Sequence, residues 1–72
     1  MAYFNYHAKA KKLIKSGYCF AATIFKNYHN IKPALVLYFY NNQPMPIREY
    51  MWQDYLPLLL EKNIKVENSN ID

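Results

Sequence analysis

The first periodicity in the chain runs from Tyr3 to Ile14. Tyr3, Tyr6, His7, Ala10, Leu13 and Ile14 recur at steps of three and four. That spacing predicts a helix with one buried stripe. Asn5 can serve as its N-cap, although the pattern allows an earlier start. Gly17, the only glycine, fits the left-handed position just past the helix end.

The segment from Tyr18 to Tyr28 is open to two readings. Tyr18, Phe20, Ala22, Ile24 and Tyr28 share one parity, and Cys19, Ala21, Thr23, Phe25, Asn27 and His29 the other. β-Branched and aromatic residues in alternation favour a strand. Phe20, Ile24 and Tyr28 also step by four, which leaves a helix open. Pro33 then disfavours helical geometry at Lys32 and marks a connection.

Ala34 to Arg48, ALVLYFYNNQPMPIR, reads as strand, turn and returning strand. Leu35, Leu37 and Phe39 form one face, and Ala34, Val36, Tyr38 and Tyr40 the other. An Asn41–Asn42 turn would pair Tyr38 with Met45 and Val36 with Ile47. A three-residue loop, Asn41 to Gln43, pairs Phe39 with Met45 and Leu37 with Ile47. The longer loop gathers the large aliphatic groups on one face, so burial selects it. Pro44 and Pro46 lack donors, which makes the returning strand an edge or turns its proline nitrogens outward.

Beyond Arg48 the pattern turns helical. With Asp54 as N-cap, Pro57 falls in the first turn, where its missing donor costs little. Leu56, Leu59 and Leu60 then make the buried stripe, and Asn63 ends the helix. Residues 49–53 would form a separate turn or short helix carrying Trp52. A single helix kinked at Pro57 is the competing reading. Ile64 and Val66 alternate weakly, and a polar, frayed tail is expected from Glu67 to Asp72.

The expected fold is α+β, in the order α-β-β-β-α. An N-terminal helix, a three-stranded antiparallel sheet and one or two C-terminal helices would form one domain over residues 1–66. Both helical stripes should pack on the Leu35, Leu37 and Phe39 face. The Ala34, Val36, Tyr38 and Tyr40 face is then left without cover from this chain.

Composition sharpens that picture. A chain of 72 residues is one domain at most, and a domain this small buries only about 60% of its unfolded surface. Thirteen residues are aromatic, eight of them tyrosine, more than so small a core can hide. Cys19 is the lone cysteine, so no internal disulfide adds stability, and a reducing compartment is expected. The longest apolar run, Ala34 to Tyr40, is far short of a membrane span, and no signal-peptide pattern opens the chain. A cytoplasmic protein without a membrane partner is expected.

Charge is uneven along the chain. Residues 1–32 hold six lysines and no acid, for +6, whereas residues 33–72 hold three cations against five acids, for −2. Lys11, Lys12 and Lys15 lie near the first helix's C-terminal end, where they complement its dipole. Lys9, Lys12 and Lys15, with Lys11 beside them, could also contact phosphates. Nucleic acid is therefore one possible partner, although the helix has no arginine for base-edge readout.

Little in the sequence points to catalysis, and no enzyme activity or cofactor is expected. His7, His29 and Cys19 carry no nucleophile or metal-ligand spacing. A single glycine rules out a glycine-rich phosphate loop. The favoured expectation is a protein-interaction module that binds itself or another protein. Its interface would use Tyr38, Tyr40, Arg48 and Trp52, residue types that anchor interfaces.

Overall fold

The computed structural model describes residues 5–69; Tyr3 and residues 70–72 of the expected tail lie outside that range. The first helix, α1, is Tyr6–Lys15. Asn5 caps it by accepting a hydrogen bond from the Ala8 N–H at 3.0 Å, an interaction worth about 1 kcal/mol. Gly17 ends it at φ +85°. The Gly17 N–H bonds the Ile14 carbonyl and the Tyr18 N–H bonds the Leu13 carbonyl, at 3.1 and 3.0 Å. Ala10 and Ile14 are fully buried, with Tyr6, His7 and Leu13 half-buried beside them.

The segment open to two readings contains a strand: β1 is Cys19–Phe25. Strand β2 is Ala34–Phe39 and β3 is Met45–Arg48. A 3-10 turn, Glu49–Met51, leads into α2, Trp52–Glu61. The chain then adds a strand the pattern did not predict, β4, Val66–Asn68.

Among the described residues the sheet therefore has four strands, in the order β3-β2-β1-β4. It is mixed and not purely antiparallel, because β4 runs parallel to β1. Parallel neighbours need a crossover, and α2 provides it, carrying the chain from the β3 edge to the far edge. Glu67 and Asn68, expected in the tail, belong to this strand. A three-residue strand with one apolar position leaves almost no periodicity to read.

One face of the sheet carries both helices. Leu35, Leu37, Phe39, Met45 and Ile47 pack with Ala10 and Ile14 of α1 and Tyr55 and Leu59 of α2. The odd-numbered side chains of β2 thus point inward as expected. The β2–β3 pairing differs, however: Leu37 faces Met45 and Leu35 faces Ile47. This is a slip of two residues from the expected register. Side-chain alternation fixes register only to the nearest even number, so burial could not tell the two apart. Tyr40 is drawn away from β3, since its N–H bonds the Tyr18 carbonyl at 2.9 Å. Strand β3 is an edge, and the Pro46 carbonyl accepts the Tyr6 hydroxyl at 3.1 Å.

The second helix also begins earlier than expected. Asp54 is not the cap; α2 starts at Trp52, after Met51. The Trp52 indole N–H donates to the Ile47 carbonyl at 2.8 Å, which ties the first turn to the end of β3. Pro57 consequently sits in the helix interior. The buried stripe is Tyr55 and Leu59, while Leu56 and Leu60 turn outward, 39% and 78% exposed. Asn63 ends the helix as expected, at φ +58°.

Candidate interaction surface

The helix-free face of the sheet is built by the way β1 begins. Gly17 turns the chain out of α1, and Cys19 pairs with Phe39. The next pair is Ala21 with Tyr38, so β1 holds one extra residue, Phe20. Such a bulge changes the parity of everything before it. Cys19 can therefore share the core with Ala22, while Phe20 turns to the opposite face. There its ring lies 4.7 Å from Tyr40 and 6.4 Å from Tyr38, tilted 37° and 39°. Phe20 is 51% and Tyr40 56% exposed. Tyr38 is half-buried, and burial pushes its phenol pKa up, with a smaller push from the Tyr28 phenol.

The other end of this face is covered, contrary to the expectation that all of it would be bare. Ala34 and Val36 are fully buried. Between β1 and β2 the chain folds back on itself. Tyr28 and Ile31 exchange two 2.9 Å backbone bonds around His29 and Asn30, both at positive φ. The Tyr28 ring packs 5.6 Å from Phe25, a residue paired with Ala34. Its phenol acts electrostatically on both Tyr38 and Tyr6. The bare surface thus contracts to Phe20, Tyr38 and Tyr40.

Of the four expected interface residues, only Tyr38 and Tyr40 are brought together. Arg48 pairs with Ala34, at the opposite end of β2 from Tyr40. It lines an open cleft of about 310 Å3 with Tyr6, His7, Ile31, Pro46 and Tyr50. Trp52 lies on the helix side, packed against the core. Phe20 was missed because a bulge leaves little trace in the pattern. The one available signal is that Cys19 and Ala22, both small enough for the core, have opposite parity.

The lysines are placed differently. Lys11 reaches Asp54 at 3.4 Å and lies 5.7 Å from the centre of the Tyr55 ring. Lys12 and Lys15 are exposed in the last turn of α1. Lys9 borders a cleft with Tyr6 and the residues from Asn41 to Met45. Because α1 packs on the helix-bearing face, its lysine row and the aromatic cluster lie on opposite sides of the sheet.

Comparison with protein-family models, curated proteins and solved structures finds no match. His7 Nδ1 shares a 2.7 Å hydrogen bond with the Tyr55 hydroxyl. The Cys19 thiol is buried and donates to the Ala21 carbonyl at 3.5 Å. Burial raises its pKa, partly offset by hydrogen bonds to the Ala21 and Tyr38 backbone, which works against a reactive thiolate. His29 lies in the exposed turn against the Tyr28 ring. These three residues occupy separate places in the fold. Among the described residues no cluster of His, Cys, Asp or Glu could hold a metal ion, and no helix is long and apolar enough to cross a membrane.

Proposed function

We propose that this chain is a non-catalytic protein-interaction module that docks a partner on the aromatic end of its helix-free sheet face. The observation that carries this reading is the cluster of Phe20, Tyr38 and Tyr40. Its rings touch each other, and two of them are about half exposed. Aromatic side chains at such a spot offer large contact area at little entropic cost. Phe20 reaches this face through the bulge at the start of β1, which lets Cys19 and Ala22 both enter the core.

The test compares the wild type with a Phe20→Ser/Tyr40→Ser variant as immobilised bait. Both replaced residues are largely exposed, so the circular dichroism spectrum should be unchanged. Proteins retained by the wild type and lost from the variant are the expected result. Identical bound sets from the two baits would overturn the reading.

A nucleic-acid-binding role through Lys9, Lys11, Lys12 and Lys15 is favoured less. Lys11 is engaged by Asp54, and the lysines do not share a surface with the rings that could stack on bases. Salt-sensitive binding of a single-stranded oligonucleotide, weakened by Lys12→Gln/Lys15→Gln but not by the aromatic variant, would put this role in place of protein docking.

A further inference from the structure

The two edges of the sheet are treated very differently. Strand β3 is closed to pairing: Pro46 has no N–H, its carbonyl takes the Tyr6 hydroxyl, and Pro44 precedes the strand. Strand β4, at the other edge, contains no proline. Its outward-facing groups follow from the parallel ladder. Ile24 is level with Asn68, and the Ser69 N–H bonds the Ile24 carbonyl at 2.9 Å. In such a ladder alternate residues of the edge strand bond inward, here Lys65, Glu67 and Ser69. The backbone groups of Val66 and Asn68 therefore point away from the sheet. Open edges of this kind pair readily with other strands unless guarded.

The side chains indicate what such a strand would be. We infer that β4 pairs antiparallel with β4 of a second copy of this chain, on a two-fold axis through Val66. Only registers centred on one residue of β4 align outward-facing groups with outward-facing groups. Centring on Glu67 would oppose two carboxylates. Centring on Asn68 would place Glu67 opposite Ser69. Centring on Val66 bonds Val66 to its counterpart and sets each Lys65 opposite the Glu67 of the other copy. Those opposed residues form the closer, non-hydrogen-bonded type of pair, where side chains of opposite charge attract. Lys65 and Glu67 are both exposed, and neither has an ion-pair partner among the described residues.

The geometry has a consequence for the aromatic surface. Antiparallel pairing of identical edges makes one continuous eight-stranded sheet, with its two-fold axis perpendicular to the strands and to the sheet. All four helices then lie on one side, and both Phe20–Tyr38–Tyr40 clusters face the other. The module becomes bivalent, which raises its avidity for a repetitive or dimeric partner. This bivalence rests on the docking role proposed above; the pairing of the edges does not.

The experiment is sedimentation analysis from micromolar to millimolar protein, with amide exchange read by NMR. The wild type should dimerise as concentration rises, and the Val66 amide should become protected with it. Lys65→Glu replaces two attractions with two repulsions and should weaken the dimer roughly tenfold. Adding Glu67→Lys to that variant should restore it. A wild type that stays monomeric overturns the inference. So does a dimer indifferent to Lys65→Glu, or a Val66 amide that exchanges at one rate at every concentration. A dimer lost in Phe20→Ser/Tyr40→Ser but kept in Lys65→Glu would move the second copy to the sheet face and also refute edge pairing. An intact edge dimer whose aromatic variant binds the same proteins as the wild type would sink only the docking role.

Discussion

Replacing Tyr55 with phenylalanine should make this protein less stable near neutral pH and more stable in strong alkali. Tyr55 is fully buried, and its hydroxyl is bonded to His7 Nδ1. Loss of that bond costs about 1 kcal/mol. Burial, with smaller contributions from Tyr6 and Asp54, pushes the Tyr55 phenol from 10.0 up to about 12. The folded state therefore holds this proton more tightly than the unfolded chain does. The resulting stability is complete below pH 10 and lost as pH rises from 10 towards 12. At ~1.4 kcal/mol per pH unit the full loss approaches about 3 kcal/mol. Phenylalanine has no proton to lose, so Tyr55→Phe escapes this penalty. By pH 11 about half the penalty has accrued, and the two stability curves should cross there. Urea titrations followed by circular dichroism, at steps from pH 8 to pH 12, measure both curves. Curves that stay parallel across this range would refute the reasoning.

Three further outcomes follow from the packing. Gly17→Ala should cost about 1–2 kcal/mol, because the residue sits at φ +85° while open space surrounds an added Cβ; thermal denaturation measures it. Leu37→Ala should cost about 2–5 kcal/mol, whereas Tyr40→Ser, on the opposite face, should cost under about 1 kcal/mol; equal losses in urea titrations would contradict the side-chain parity of β2. Pro57→Ala should stabilise the fold by about 2 kcal/mol, the interior helix penalty less the unfolded-state entropy that proline removes. An unchanged denaturation midpoint would mean that α2 already accommodates the proline without loss.

The features legible in the sequence were those set by neighbouring residues. The α1 stripe, its Asn5 cap, the Gly17 and Asn63 termini and the inward parity of Leu35, Leu37 and Phe39 all depend on short-range periodicity or single-residue geometry. The features that escaped depend on distant partners. The register of β3 slipped by two residues because alternation cannot distinguish even shifts. Pro57 drew the expected cap to Asp54, but α2 begins at Trp52 and packs through Tyr55 and Leu59, with Leu56 and Leu60 facing outward. Strand β4 exists because the α2 crossover delivers Val66 beside Ala22. Two of the three residues of the candidate surface, Tyr38 and Tyr40, were visible in the sequence. Its third member, Phe20, faces outward only through the bulge.

The exposed rings gain their significance from the energetics of a small fold. Phe20 and Tyr40 each leave roughly 100 Å2 in water, half of what such a side chain can bury. At about 25 cal/mol per Å2, covering both is worth roughly 5 kcal/mol before the costs of association. A chain of 72 residues has a total stability of about 4–11 kcal/mol. The surface left bare is therefore comparable in energy to the fold itself. Among the described residues both helices are already committed to the other face, so covering it internally would need a third layer. Straightening the bulge would swing Phe20 about but expose Cys19 in its place, because Ala22 and Ile24 hold the inward positions further along β1. The aromatic end is thus tied to the way α1 hands the chain to β1, and a partner can cover it without disturbing any contact the fold depends on.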